Sequence, residues 1–213
     1  MILVGMLDSP YVRRCAVSMK LMGVPFEHRP LSVFRTFEQF RAINPVVKAP
    51  TLVCDDGTVL MDSTLILDYI ESIVEPAKRL TPANGSERRE ALRITGLALA
   101  AADKGVQVVY EKTQRPAHLR YDQWLERIVG QTNAAYAELE GTVAKARHWL
   151  QGDRISAADV ITACSWRFGQ FYNPAEIPAD RFPALSAFSR RARAESDAWF
   201  ASSVAAAPPS RGT

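Results

Sequence analysis

The chain has 213 residues, of which 47% are hydrophobic and 23% are charged, and its formal net charge is +3. These values are ordinary for a globular protein and exclude a fibrous or low-complexity chain, while the basic excess is too dilute to indicate a nucleic-acid-binding protein. The cysteines Cys15, Cys54 and Cys164 are an odd number with no close pair, which argues against a disulfide framework and against a zinc site. We therefore expect a reduced, cytoplasmic protein.

No segment has the pattern of a transmembrane helix. The most apolar long stretch, residues 91–110, is interrupted by Arg93, Asp103 and Lys104, which are costly in lipid. The apolar residues 1–7 are too short for a signal peptide and lack a basic leader. We expect no membrane partner.

The first 78 residues alternate between strand-like and helix-like patterns. Residues 2–7 form a short apolar run typical of a β-strand, and Ser9-Pro10 is a helix-start signal. In the helix that follows, apolar side chains recur at steps of three and four, which defines one apolar face. The charged side chains Arg13, Arg14 and Lys20 are predicted to take the other face.

Three more strands and two more helices complete this first part. Gly23 ends the first helix, and Asp55-Asp56-Gly57 is a hairpin turn. A helix between the first two strands predicts a parallel pair, whereas the hairpin predicts an antiparallel pair. The predicted segments are strands at 26–31, 50–54 and 58–61, and helices at 34–43 and from Asp62-Ser63 onward.

The second part of the chain carries helical patterns alone. Residues 75–86 hold two prolines and a glycine and are predicted to be a linker. We therefore expect an N-terminal domain over 1–78, a helical domain over 86–204 and a flexible tail over 205–213. The predicted helices span 87–112, 119–150, 157–170 and 184–198.

Four short segments, in this order and spacing, resemble the glutathione S-transferase family. They cover nearly the whole chain and look most like bacterial members with a serine at the catalytic position. The resemblance implies an α/β thioredoxin-like N-terminal domain followed by an all-α helical bundle domain. The segments are Ser9-Pro10-Tyr11-Val12-Arg13, Val47-Lys48-Ala49-Pro50-Thr51-Leu52, Asp62-Ser63, and Gly152-Asp153 followed by Ser156-Ala157-Ala158-Asp159.

The resemblance also implies an activity. Such an enzyme binds glutathione as a co-substrate, ionises its thiol, and transfers the sulfur to a small electrophile, commonly in detoxification. It needs no permanently bound cofactor and no metal. The family is usually a homodimer through the first two helices of its second domain.

Ser9 is the candidate catalytic residue. As the N-cap of a helix, it would lie where free N–H groups and the helix dipole favour an anion. A hydrogen bond to a charged group is worth roughly 1.5–3 kcal/mol, so a Ser9 hydroxyl donating to sulfur would lower a thiol pKa of about 8.5 by about one to two units. The alternative is that Ser9-Pro10 only begins a helix.

The remaining candidates for glutathione binding lie in the second and third segments. A cis Ala49-Pro50 bond would turn the Ala49 backbone outward to pair with the cysteinyl backbone, and Lys48 would meet the glycyl carboxylate. Ser63 would bind the γ-glutamyl carboxylate and Asp62 the amine. The alternatives are an ordinary trans proline, a surface lysine and two helix caps.

The second substrate is expected between the domains. On the long helix after the linker, polar side chains recur at steps of four, three and four. This stripe either lines the cleft or forms a solvated or subunit-facing surface, and in a dimer Asp103 could approach the partner's glutathione. The stripe consists of Asp103, Gln107, Tyr110 and Gln114.

Other readings of the sequence stay open. A glutathione-dependent peroxidase or isomerase would use the same site, and a non-enzymatic regulatory or binding protein could keep the fold. The isolated residues His28, His118 and His148 have no metal-ligand spacing. Cys15 is predicted to lie in the apolar core, which counts against cysteine-based redox chemistry at the site.

Overall fold

The computed structural model describes residues 1–195. The end of the last predicted helix, 196–198, and the predicted tail, 205–213, lie outside the described residues. The elements are β1 (Ile2–Val4), α1 (Pro10–Leu21), β2 (Glu27–Arg29), α2 (Phe37–Arg41), β3 (Thr51–Val53), β4 (Val59–Met61), α3 (Ser63–Ile73), α4 (Gly85–Thr113), α5 (Asp122–Val143), α6 (Ala157–Tyr172) and α7 (Pro183–Glu195).

The four strands form one mixed sheet in the order β2-β1-β3-β4. The parallel pair of β1 and β2 and the antiparallel hairpin of β3 and β4 confirm the predicted pairings. β1 also pairs antiparallel with β3. The first strand is shorter than predicted because Gly5, with φ of +137°, turns the chain away from the sheet after Val4. Only glycine adopts such a backbone conformation readily.

Helix α1 is buried on both sides, which its sequence pattern alone does not indicate. Its predicted apolar face packs on the sheet and on α3. Arg13 and Arg14, on the other face, are only 4% and 3% exposed, because α6 covers that face. The predicted end of the helix is confirmed: Gly23 follows it with φ of +73°.

Helices α4 to α7 surround a second apolar cluster. α6 packs against α1, α4 and α7, and its first turn carries a reciprocal capping box between Ser156 and Asp159. The helix predicted to run to residue 150 ends at Val143, because Trp149 and Leu150 enter the core from a turn in which Trp149 pairs with Gly152.

The three thiols Cys15, Cys54 and Cys164 are free and buried. Within residues 1–195, no three side chains of the metal-binding types come together. Over the same residues, none of the helices combines the length and apolar character that crossing a lipid bilayer requires.

Candidate functional site

The strand register brings three predicted segments to one edge of the sheet. Val4, at the end of β1, lies opposite Thr51, at the start of β3. Thr51 in turn lies opposite Met61, at the end of β4. The chain that leaves β1 for α1, the chain that enters β3 and the chain that leaves β4 for α3 therefore meet at the same edge.

Ser9 stands at this edge as the N-cap of α1. Its Oγ accepts a long hydrogen bond of 3.4 Å from the backbone N–H of Val12, with Pro10 at the first helical position. Ser9 is half-buried. Because the oxygen acts as acceptor within the helix, its own proton can be donated to a bound group.

The Ala49-Pro50 peptide bond is cis, as the resemblance implies. Two residues earlier, Val47 has φ of +53°, a conformation that a β-branched residue adopts only at a cost. Ala49 also packs closely on the turn after β1, because a Cβ on Gly5 would lie only 3.2 Å from Cβ of Ala49 and 2.6 Å from Cγ2 of Val12.

A buried asparagine holds this segment in place. Asn44, only 3% exposed, donates to Oγ1 of Thr51 at 2.8 Å and accepts from the N–H of Val46 at 3.0 Å. Thr51 Oγ1 donates to the carbonyl of Lys48 at 2.8 Å. The two side chains thus fix both ends of the loop that carries Ala49.

Asp62 and Ser63 begin α3 at the end of β4. Asp62 is the N-cap, with φ of +70°, and accepts from the N–H of Thr64 at 2.9 Å. Lys48 Nζ lies 3.7 Å from Asp62 Oδ2, so the structure joins two residues that the sequence assigns to opposite ends of glutathione. Both side chains are about half exposed, and such ion pairs are weak.

Ser63 is buried, and the structure supplies a partner that the sequence did not predict. Nη1 of Arg14 lies 3.3 Å from Ser63 Oγ and 3.4 Å from Thr64 Oγ1. Arg14 directly follows the first family segment, but nothing in the local sequence indicates that it reaches the start of α3, 49 residues further along the chain.

The polar stripe on α4 splits into two parts. Asp103 and Gln107 are joined by a 2.9 Å hydrogen bond, and the ring of Tyr110 meets that of Phe34 edge to face at 5.5 Å. Burial, followed by the negative charge of Asp103, raises the pKa of Tyr11, so this part faces the N-terminal half. Gln114 is the exposed C-cap of α4 and donates to Thr113 instead.

A second contact joins the N-terminal domain to the helical domain. The hydroxyl of Tyr172, at the end of α6, donates to Oδ2 of Asp8 at 2.9 Å. Burial and Asp8 raise the pKa values of Tyr110 and Tyr172. We call Asp8, Tyr11, Asp103, Tyr110 and Tyr172 the phenol–carboxylate wall; the sequence predicts two of its members and gives no signal for Tyr172.

Comparison with known proteins decides the family. The N-terminal domain of glutathione S-transferases matches residues 3–78, and the C-terminal domain of glutathione S-transferases matches residues 113–195. The chain belongs to the glutathione S-transferase family. The family that the four segments suggested is thus confirmed, and so is the thioredoxin-like domain followed by a helical domain.

Glutathione S-transferases and related enzymes are among the similar proteins. The uncharacterized GST-like protein YibF of Escherichia coli K12 is 29% identical over 163 residues, which is 76% of this chain and 79% of YibF. A maleylacetoacetate isomerase from mouse is 25% identical over 155 residues, 69% of this chain and 68% of the isomerase.

Two solved glutathione S-transferase structures share the fold. One, from Methylobacterium radiotolerans in complex with glutathione sulfonate, is 26% identical with a TM-score of 0.87. Its alignment covers 100% of this chain and 99% of the Methylobacterium chain. The other, from Pseudomonas fluorescens Pf-5 with bound S-(propanoic acid)-glutathione, is 28% identical with a TM-score of 0.75 and covers 91% and 94%.

Proposed function

We propose that this glutathione S-transferase family member is a glutathione transferase, in which Ser9 stabilises the glutathione thiolate for attack on an uncharged aromatic electrophile. The observation that carries this proposal is the meeting of two helix N-termini and a cis-proline segment at one sheet edge. Such N-termini attract anions, and glutathione offers a thiolate and two carboxylates. The glutathione derivatives bound to the two solved relatives support the same ligand here.

Each part of glutathione has a matching group at this edge. The sulfur would lie at Ser9, with the hydroxyl proton pointing to it. The cysteinyl backbone would pair with the Ala49 backbone in the manner of a short added strand. The γ-glutamyl carboxylate would meet Ser63 and the first N–H groups of α3. Lys48 and Asp62 would then exchange their mutual contact for the glycyl carboxylate and the amine.

The chemistry follows from where the charge lies. A thiolate, not a thiol, is the nucleophile. Ser9 donates a hydrogen bond to the sulfur and takes no part as a nucleophile. The thiol proton passes to water as the thiolate forms. The sulfur then forms a bond to the aryl carbon, and the carbon–halide bond breaks to release a halide ion. Holding both reactants in one site supplies much of the rate.

The phenol–carboxylate wall favours one class of electrophile. Its aromatic rings, together with Phe34, suit a flat apolar substrate, whereas Asp8 and Asp103 repel an anion. Arg35 is a cation near Tyr172, at the edge of the phenol–carboxylate wall. Because Arg35 is exposed to water, its charge offsets this repulsion only weakly. A dicarboxylate of the kind that a maleylacetoacetate isomerase handles is therefore less suited to this wall than an aryl halide.

Calorimetry with glutathione, followed by turnover of aryl halide, peroxide and maleyl substrates, tests the proposal. We expect binding at sub-millimolar glutathione and the fastest turnover with the aryl halide. Replacing Asp103→Asn should raise the relative rate of an anionic electrophile, while Asp122→Asn on α5 should not. An absence of binding at millimolar glutathione would instead indicate a regulatory protein that kept the fold.

We also propose a homodimer, with location in a reducing cytoplasm. Exposed apolar side chains support the dimer, because a second copy would remove them from water. Sedimentation velocity should give twice the chain mass, and Leu92→Asp should shift the protein toward the monomer if α4 lies in the interface. These side chains include Leu65, Leu92 and Trp124, which are 64%, 54% and 39% exposed.

A further inference from the structure

Arg14 is a buried cation in an electrostatically unfavourable place. Its guanidinium contacts the first two residues of α3 through Ser63 Oγ at 3.3 Å and Thr64 Oγ1 at 3.4 Å, and it belongs to the first half of α1. A helix N-terminus carries partial positive charge and is stabilised by anions rather than cations. A guanidinium does not lose its proton in proteins, although burial lowers the pKa of Arg14.

The neighbours of Arg14 offset this charge only in part. Asp62 is a nearby carboxylate, but it is half exposed, caps Thr64 and lies against Lys48. The other titratable groups with the largest effect on the guanidinium are the thiols of Cys15 and Cys164 and the phenol of Tyr11, all of which are neutral at pH 7 because burial raises their pKa values. The start of α3 therefore has a net preference for an additional anion.

The contact with Arg14 also orients the Ser63 hydroxyl. Because Ser63 Oγ accepts from Nη1 of Arg14, its single proton has to be donated in another direction. A second contact from α1 holds the same turn, since the Cys15 thiol lies 3.7 Å from the Ser63 carbonyl. α1 thus holds the position of Ser63 and leaves the hydroxyl proton for a partner other than Arg14.

We propose that Arg14 is a positioning residue that makes the start of α3 selective for an α-carboxylate at the γ-glutamyl end of the ligand. The inference rests on the proposed glutathione site and deepens it. Arg14 acts through Ser63. It places a positive charge beside Ser63 and leaves the Ser63 hydroxyl free to donate to the ligand, so that a carboxylate is bound more tightly than an uncharged group at the same place.

A matched pair of ligands tests this selectivity. One is glutathione, and the other is 4-aminobutanoyl-cysteinylglycine, in which a hydrogen replaces the γ-glutamyl α-carboxylate. We expect Arg14→Gln to weaken the binding of glutathione about tenfold, as for loss of one charge-assisted interaction, and to leave the Kd of the analogue within about twofold. Arg14→Lys, which keeps the charge, should retain most of the preference.

A purely structural role would give a different result. If Arg14 only supported the fold, Arg14→Gln would weaken both ligands equally, and that outcome would overturn the inference. Should Arg14→Gln fail to fold, Thr64→Val keeps the side-chain shape and removes one of the two hydroxyl partners of the guanidinium. We expect it to reduce the preference for glutathione about threefold, and an unchanged preference in Thr64→Val would also overturn the inference.

The test separates this inference from the proposed function. If the wild-type protein binds neither ligand at millimolar concentration, the proposed glutathione site is wrong. If the wild type binds glutathione and the variants keep its full preference over the analogue, the site stands and the role of Arg14 is wrong.

Discussion

The substitution Ser9→Ala gives the most direct test of thiolate stabilisation. It removes the one hydroxyl that caps α1 at the sheet edge where the sulfur is expected. The lost cap itself should cost little, about 0.5 kcal/mol, because the hydrogen bond from Val12 is long at 3.4 Å. The protein should therefore remain folded, and any change in the thiol can be assigned to the missing donor.

The size of the effect follows from the strength of a charge-assisted hydrogen bond. Roughly 1.5–3 kcal/mol corresponds to about one to two pKa units. The pKa of the bound glutathione thiol should therefore be about 7 in the wild type and about 8.5 in Ser9→Ala. At about pH 6.5 the thiolate fraction would fall from about a quarter to about one hundredth. The difference should become small only toward about pH 10.

The ultraviolet absorbance of the thiolate, titrated against pH with glutathione bound, measures this shift. Ser9→Thr keeps the hydroxyl and should titrate close to the wild type. Ser18→Ala is a matched control, since its buried Oγ, on the same helix, makes no hydrogen bond within the described residues. A thiol pKa that is the same in Ser9→Ala and in the wild type would refute the role given to Ser9.

Three further predictions concern the frame that holds the site. Gly5→Ala should destabilise the protein by more than about 2 kcal/mol, because Gly5 has a positive φ and a methyl group there would clash with Val12 of α1. Gly130→Ala, on the open side of α5, should instead stabilise the protein by about 0.5–1 kcal/mol. Urea unfolding compares the two variants, and equal midpoints would contradict the packing around Gly5. Asp159→Ala leaves the backbone N–H groups of Leu150 and Ser156 without their acceptor and should lower the unfolding free energy by about 2–4 kcal/mol. Asp153→Ala, at an exposed position, should leave the stability unchanged. An unchanged stability in Asp159→Ala would argue against the cap. A hydrogen bond from Arg115 lowers the pKa of Glu111. The contribution of the Glu111 carboxylate to stability is therefore present above the ordinary pKa of about 4.3 and is lost as pH falls through the lowered pKa. The difference in unfolding free energy between wild type and Glu111→Gln should disappear in acid, and a difference that persists there would contradict this assignment.

Local sequence signals determine much of this protein. The helix start at Ser9, the hairpin turn at Gly57 and the capping box at Ser156 depend on residues a few positions apart, so a single sequence contains the information for each. Parallel and antiparallel pairing follow from what connects the strands. The family resemblance then added an expectation that local signals could not give, namely that residues near 9, 50 and 63 lie close together, and the strand register brings them to one edge of the sheet.

The tertiary structure decided the environment of each side chain. The sequence shows one apolar face of α1 with charged side chains on the other, but it cannot show that α6 covers this second face and buries Arg13 and Arg14. The contacts of Arg14 with Ser63 and of Tyr172 with Asp8 join residues 49 and 164 positions apart. Such long-range contacts come from the packing of whole helices, and no short pattern in the chain encodes them.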